Sequence, residues 1–275
     1  LAGVSHGGGK AVIILPEMPF SRKKLLTAFA KLVDSLQGKY ITAVDSGSTI
    51  EDMKCVAQHT SYVVGYAGES ECGQSPSYYT AEGVIYGIKV AMQHKFSDCE
   101  WRKHSFAIKG VGSVGAIILE KLKNLGAANI TIADIDANKA NDLAKEFSVQ
   151  HVSIGDIHAS DCDVFIPSAV GGSIRQDNIE DIKAKIIAGA ENNVLEDDSC
   201  ATMLHRRGIL YCPDYVVNAG GLIFAAGLYA NDKTSIQDKL QRLGDTLTGI
   251  FIESDRRKCS TLEAAQWQFE KSIKN

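Results

Sequence analysis

One stretch, Ser105 to Asp136, narrows the folds open to this chain more than any other. The apolar run Ser105-Phe106-Ala107-Ile108-Lys109 leads into Gly110-Val111-Gly112-Ser113-Val114-Gly115. A helical stretch follows from Ala116 to Leu125, and a second apolar run, Ile130-Thr131-Ile132-Ala133, ends on Asp134. Short apolar runs around a longer segment read as buried strands flanking a helix. The order is therefore strand, glycine turn, helix, strand, acid.

Each part suits a dinucleotide. Gly110 allows the tight turn, Gly112 lets the backbone approach a pyrophosphate, and Gly115 lets helix and strand pack closely. The helix start adds the free amides of Ser113 and Val114 and the positive end of the dipole, both favourable to phosphate. Asp134 ends the second strand, where its carboxylate accepts hydrogen bonds from a ribose. Glycines alone also mark ordinary turns, but strand, helix and acid together specify a Rossmann dinucleotide-binding domain. The ribose end favours NAD over NADP, because Asp134 repels a 2′-phosphate and no Lys or Arg follows before Lys139.

At 275 residues the chain suits two domains better than one. A formal charge of −4 gives no basic footprint for nucleic acid. No apolar run approaches the roughly twenty residues of a membrane helix, and no signal peptide is visible. Seven cysteines without a C-x-x-C pair read as reduced thiols of a cytoplasmic protein. His151, His158 and Cys162 fit no zinc spacing, so no metal is expected. The chain opens at Leu1 without methionine, close to a loaded glycine cluster, and a further upstream segment is expected.

Strand and helix patterns alternate along most of the chain. Residues 11–15 read as a strand ended by Pro16, and Leu25, Leu26, Phe29, Leu32, Val33 and Leu36 as one face of a helix. Strands are expected over residues 40–44 and 61–65, with a helix over 49–59 between them. A glycine- and serine-rich loop from Ala67 to Pro76 precedes a helix from Ser77 to about His94. After Asp134, helices are expected over 137–147, 174–183 and 197–207. Strands are expected over 149–154, 163–166, 184–189, 209–211 and 215–217. Such alternation implies an α/β fold with parallel pairing. Two helices close the chain, the first carrying Ile236, Leu240, Leu243, Leu247, Ile250 and Phe251 as a stripe. The expected architecture is a smaller, N-terminally incomplete α/β substrate domain (1–78), a Rossmann domain (79–231) and C-terminal helices (232–275). The last segment packs on the first domain or at a subunit interface.

Two further features carry chemistry. Gly7-Gly8-Gly9-Lys10 stands directly before the first strand, where glycines let backbone contact a ligand. It is not a Walker loop, because Ala11 follows the lysine. A flexible chain start with a solvated lysine is the plain alternative. Asp45 follows the strand at 40–44, where carboxylates point into a ligand crevice; capping the next helix is its plain alternative.

The combination resembles the Glu/Leu/Phe/Val amino-acid dehydrogenase superfamily. Gly7-Gly8-Gly9-Lys10, Thr42-Ala43-Val44-Asp45-Ser46-Gly47 and Ser75-Pro76 with Thr80 come first. The glycine turn, Pro167-Ser168-Ala169, Ala188-Gly189-Ala190-Glu191-Asn192-Asn193 and Tyr215-Val216-Val217-Asn218-Ala219-Gly220-Gly221 follow in the family's order. The likeness spans essentially the whole chain and is nearest the leucine and phenylalanine branch.

The resemblance implies NAD-dependent oxidative deamination of an L-amino acid to a 2-oxo acid and ammonia. Lys10 is then the catalytic lysine, its pKa lowered by burial so that it activates water, and Asp45 exchanges protons with the amine. Gly8, Gly9, Ala43 and Pro76 fall at substrate-side backbone positions. Thr80, Ala169, Asn193 and Asn218 fall at cofactor-side positions, beside Gly110, Gly112, Ser113, Val114, Gly115 and Asp134. Leu222 and Ala225 follow Asn-Ala-Gly-Gly, where side chains set specificity; with no charge there, an apolar substrate is favoured over glutamate. The family further implies a homo-oligomer. Departures are Ser5-His6 before the glycines, Ala225-Ala226-Gly227-Leu228 in place of a polar, acidic run, and a second, carboxylate-binding lysine whose position lies upstream of Leu1. The competing readings are a catalytically silent nucleotide-binding homologue with a regulatory role and a Rossmann oxidoreductase of hydroxy acids.

Overall fold

The computed structural model describes residues 1–45, 47–66, 75–230 and 234–274. Ser46 and most of the loop expected from Ala67 to Pro76 lie outside the described residues. Two compact units emerge: residues 4–76 with 222–236, and residues 1–3, 77–221 and 237–275.

The first unit holds helix α1 (Arg22–Ser35), strand β1 (Thr42–Ala43), helix α2 (Ile50–Ala57) and strand β2 (Val63–Val64). β1 and β2 pair in parallel, Thr42 opposite Val63. Leu26, Ala30, Met53, Val56 and Val63 form one buried cluster between the helices and this pair. Ser21 caps α1 by accepting from Lys24 N, and Thr49 and Asp52 cap α2 reciprocally. The apolar stripe on α1 is narrower than expected, since Leu32 and Leu36 are exposed. The strand expected over residues 11–15 is absent, and Val12 and Ile14 are 81% and 89% exposed. Apolar residues there find no ladder partner among the described residues, and an unpaired strand has nothing to satisfy its backbone.

The second unit begins in helix α3 (Pro76–Phe96). Strands β3 (Ser105–Lys109), β4 (Asn129–Ala133) and β5 (Gln150–His151) alternate with helices α4 (Ser113–Asn124) and α5 (Ala137–Phe147). β6 (Val164–Pro167), β7 (Ile186–Ile187), helix α6 (Asp198–Arg206) and β8 (Leu210–Tyr211) complete the sheet. The strand order is β5-β4-β3-β6-β7-β8, all parallel. That is the doubly wound Rossmann order, reversing between β3 and β6. Ala107, Phe165, Ile187 and Ile174 are among the buried residues of the core on one sheet face, as expected of strands covered on both sides.

Two expectations fail here. Residues 174–183 are not helical beyond a single 3₁₀ turn, Ile179–Asp181. The Arg207 guanidinium donates to the carbonyls of Ile179, Glu180 and Ile182, so this side chain occupies backbone acceptors that a longer helix would use itself. Tyr215 to Val217 belongs to a short helix, α7 (Asp214–Val217), rather than a strand. Pro213 presets its start, and the amides of Val216 and Val217 both donate to the Pro213 carbonyl. Helix α8 (Gly220–Tyr229) follows, then α9 (Thr234–Arg257) and α10 (Thr261–Lys274). Residues 237–275, set apart by the sequence as a C-terminal segment, group with the sheet-bearing unit. Leu240, Leu243, Leu247, Ile250 and Phe251 are buried there, and the Thr261 hydroxyl donates to the Tyr211 carbonyl at 2.6 Å. Among the described residues no helix is long and apolar enough to cross a membrane.

Candidate active site

The glycine turn lies at the carboxyl end of β3, beside the reversal in strand order where α/β sheets bind ligands. Gly110 has φ +90°, and a Cβ there would stand 2.8 Å from the Ser168 carbonyl oxygen. A Cβ on Gly115 would meet the Gly110 carbonyl oxygen directly. Only glycine fits at either place. Gly112 differs: its φ is −69°, and nothing lies within 4 Å of the position a Cβ would take. It caps α4 without any side-chain hydrogen bond. The amides of Ser113 and Val114, in the first turn of α4, therefore have no side-chain cap. Open space, first-turn amides and the dipole of α4 converge on one spot, which fits a pyrophosphate.

Asp134 follows β4 and reaches back to this turn. Its Oδ2 accepts from Val111 N at 2.7 Å and its Oδ1 from Asp136 N at 3.0 Å. A carboxylate has further lone pairs on both oxygens, so this fixed orientation still leaves acceptor capacity for ribose hydroxyls.

Across the strand reversal, Ser168 and Ala169 follow β6, while Glu191, Asn192 and Asn193 follow β7. Asn193 has φ +51°, a left-handed conformation that Asn tolerates better than most residues. Its carbonyl accepts from Gly172 N at 2.9 Å. The Asn218 side chain, just after α7, donates to Asn192 Oδ1 at 2.7 Å. Thr80 is the fifth residue of α3, where a Cβ on Gly220 would press against its Cα at 3.0 Å. The segments that carry Ala169, Asn193 and Asn218 are thus hydrogen-bonded to one another past the carboxyl ends of β6 and β7.

In the other unit Lys10 Nζ donates to Asp45 Oδ2 in an ion pair. The structure thus brings together two residues separated by 35 positions. Neither is buried: their side chains are 70% and 57% exposed. The burial expected for Lys10 is not present, because the glycines before it carry no side chains to cover it and no strand follows. Gly9 has a local reason to lack a side chain, since a Cβ there would stand 3.1 Å from the Tyr40 ring. Gly7 and Gly8 have none, and nothing lies within 4 Å of either Cβ position. The Asp45 turn is closed by Ser48, whose hydroxyl donates to the Asp45 carbonyl at 2.8 Å and accepts from Asp45 N at 2.9 Å. Helix α2 is capped by Thr49, so Asp45 is not its cap.

Ala43 lies in β1, and Pro76 opens α3. Leu222 and Ala225 stand one turn apart on α8, Leu222 57% exposed and Ala225 half-buried, whereas Ile223 and Phe224 are buried. An edge contact between the His6 and Tyr229 rings, with centroids 5.8 Å apart, ties the approach to the glycine run to the end of this helix.

Comparison with known proteins gives this arrangement its family. The sequence profile of the Glutamate/Leucine/Phenylalanine/Valine dehydrogenases matches residues 136–253. A leucine dehydrogenase of Geobacillus stearothermophilus is 35% identical over 273 residues, covering 99% of this chain and 74% of the relative. The chain belongs to this dehydrogenase family. A phenylalanine dehydrogenase of Caldalkalibacillus thermarum is 37% identical over 99% of this chain and 75% of its own length. The crystal structure of an L-tryptophan dehydrogenase from Nostoc punctiforme superposes with a TM-score of 0.85 at 34% identity. That comparison covers 100% of this chain and 79% of the other. The fold is accordingly that of an amino-acid dehydrogenase with a Rossmann-type sheet.

Within this family fold the sequence reading overlooked three residues. Arg22 grips Asp52 through Nε and Nη2 at 2.8 and 2.6 Å and donates to the Gly47 carbonyl at 2.8 Å, bracing the turn after Asp45. The pairing Thr49-x-x-Asp52 was legible as a capping box; the arginine thirty positions earlier was not. Arg22 beside Asp52 holds that carboxyl down at about 2. Glu191 is the third, an acid set among small residues in the run after β7.

Proposed function

We propose that this chain oxidatively deaminates an apolar L-amino acid to its 2-oxo acid and ammonia, with NAD as the oxidant. The observation that carries the proposal is the Lys10–Asp45 ion pair, a base and a proton carrier held together beside two glycines whose Cβ positions are open. Asp134 supports a preference for NAD: its carboxylate, oriented by Val111 N, would repel a 2′-phosphate. Gly110, Gly112, Ser113, Val114 and Gly115 receive the pyrophosphate. Thr80, Ala169, Asn193 and Asn218 form the remainder of the cofactor site, and Gly8, Gly9, Ala43 and Pro76 offer backbone to the substrate.

When bound, NAD would supply the acceptor for the hydride that leaves the substrate α-carbon. The carboxylate of Asp45 removes a proton from the substrate ammonium, so that the nitrogen lone pair can assist departure of the hydride. Lys10 takes a proton from water as the oxygen adds to the α-carbon of the imino acid. Asp45 returns its proton to the nitrogen, the C–N bond breaks to release ammonia, and Asp45 takes the hydroxyl proton as the C=O bond of the 2-oxo acid forms. General base and acid steps of this kind contribute about 10²–10⁴-fold each. Bulk solvent, though not the attacking water, must be excluded for Lys10 to work in this way, and substrate bound over the open glycines supplies that cover. Leu222 and Ala225 present only hydrocarbon, which favours an apolar side chain and leaves a carboxylate unpaired. The protein acts as a homo-oligomer on small molecules, without nucleic acid or membrane, in the cytoplasm.

The test is growth of reduced-nicotinamide absorbance with L-leucine, L-valine or L-phenylalanine at alkaline pH. Lys10→Ala is expected to cut turnover by 10²-fold or more while NAD affinity stays within about twofold. Cofactor binding without turnover on any amino acid would instead support a silent homologue. Activity on a hydroxy acid, indifferent to ammonia, would overturn the assignment.

A further inference from the structure

Glu191 carries a carboxylate that the chemistry above does not use, although it retains only 1% of its accessible surface. Burying a carboxylate is costly unless its oxygens are fully hydrogen-bonded. Among the described residues no Lys, Arg or His forms an ion pair with it. Its partners all come from one loop, that following β6. Glu191 Oε1 accepts from Ser173 N at 2.9 Å. Oε2 accepts from the Ser173 hydroxyl at 2.6 Å and from Ala169 N at 3.3 Å.

That loop needs holding. Gly171 and Gly172 have φ values of +138° and +67°, and Val170 between Ala169 and Gly171 is fully exposed. Without the carboxylate, residues 168–173 would be joined to the β7 loop chiefly by Gly172 N to the Asn193 carbonyl, with Glu191 N to the Pro167 carbonyl and Ile174 N to the Val194 carbonyl just outside them. The backbone of Glu191 meanwhile belongs to the segment bonded by Asn218. One side chain thus ties Ala169 to the stretch that carries Asn193 and Asn218.

From this geometry we infer that Glu191 is a positioning residue for the dinucleotide: it presets the loop after β6 against the loop after β7, and so sets cofactor affinity rather than the rate of the chemical step. The inference rests on the cofactor assignment proposed above. A carboxylate is required because its three partners here are all donors, two of them backbone amides that cannot reverse. An amide of the same shape has a single oxygen. If that oxygen faces Ala169 N, the amino group opposes Ser173 N; if it faces Ser173 N, the amino group opposes Ala169 N. Either way one backbone amide loses its acceptor, that of buried Ser173 or that of half-buried Ala169.

The experiment compares wild type, Glu191→Gln and Ser173→Ala as full-length chains. NAD dissociation constants come from titration, KM and kcat from initial rates, and thermal midpoints from melting without cofactor. Glu191→Gln is expected to raise both the NAD dissociation constant and its KM about tenfold. Its kcat at saturating NAD should stay within about twofold of wild type, and KM for the amino acid should not change. Ser173→Ala removes one donor and leaves the carboxylate, so a loss of about threefold is expected. A merely structural role would lower the thermal midpoint and leave NAD KM unmoved; that result would overturn the inference. So would a fall in kcat with unchanged NAD affinity. If wild type itself binds no dinucleotide, the cofactor assignment fails and this inference with it, whereas equal binding by wild type and Glu191→Gln defeats this inference alone.

Discussion

Gly112→Ala separates what the fold demands of the glycine turn from what a cofactor demands. At this position φ is −69°, accessible to alanine, and no heavy atom lies within 4 Å of the new methyl. Alanine is a poorer helix cap than glycine by about 0.5 kcal/mol, but it loses less freedom on folding, which offsets about 0.4–1 kcal/mol. The stability change is therefore within about 0.5 kcal/mol, a shift of no more than ~2 °C in melting temperature. A bound pyrophosphate meets the same methyl from outside. Its oxygens would sit about 2.7–3.0 Å from the first-turn amides, so the methyl must displace them by roughly an ångström. Losing one or two charge-assisted hydrogen bonds costs about 1.5–3 kcal/mol, or ten- to a hundredfold in dissociation constant. Calorimetric titration with NAD and a thermal melt measure the two quantities on one sample. Gly115→Ala is the contrast: its methyl collides with the Gly110 carbonyl, and overpacking of this kind costs about 1–3 kcal/mol of stability. Normal NAD affinity in Gly112→Ala, or a melting loss equal to that of Gly115→Ala, would refute the reasoning.

Other outcomes follow from single residues. Asp134→Ala removes both the acceptor for Val111 N and the charge facing the ribose; NAD binding should weaken about tenfold and the NAD-to-NADP preference should shrink. An unchanged cofactor ratio would remove Asp134 from recognition. The Asp52 carboxyl, held at about 2 beside Arg22, lies below its unfolded value of about 3.9. Its contribution to stability is therefore complete above about pH 4 and is lost as pH falls towards 2. With Arg22 half exposed to solvent, it amounts to about 1 kcal/mol. Arg22→Leu should melt below wild type at pH 7, with the gap narrowing as pH falls from about 4 through 2; a gap independent of pH would contradict this origin.

Much of the sheet-bearing unit is legible from local pattern. The β3 strand and helix α5 fall where the apolar run and the periodicity place them, because a strand buried on both faces must be continuously apolar and an amphipathic helix must repeat. Errors collect where a side chain outside the segment decides its backbone. Arg207 claims the carbonyls of Ile179, Glu180 and Ile182, and Pro213 turns the β-branched Val216 and Val217 into a helical turn. Residues 11–15 have a strand's composition but no neighbour; pairing is a property of two segments, and one segment cannot display it.

Sequence alone determined the chemistry on offer: glycines that permit close approach, an acid at a strand end, and a lysine and aspartate of the right types in the right order. Spacing and residue type are local quantities, readable without coordinates. Tertiary structure decided which of these groups meet. It paired Lys10 with Asp45, found Lys10 exposed rather than buried, and set the Glu191 carboxylate among donors from a different loop. Hydrogen bonds and burial depend on distances between residues far apart in the chain, and only the folded backbone sets those distances.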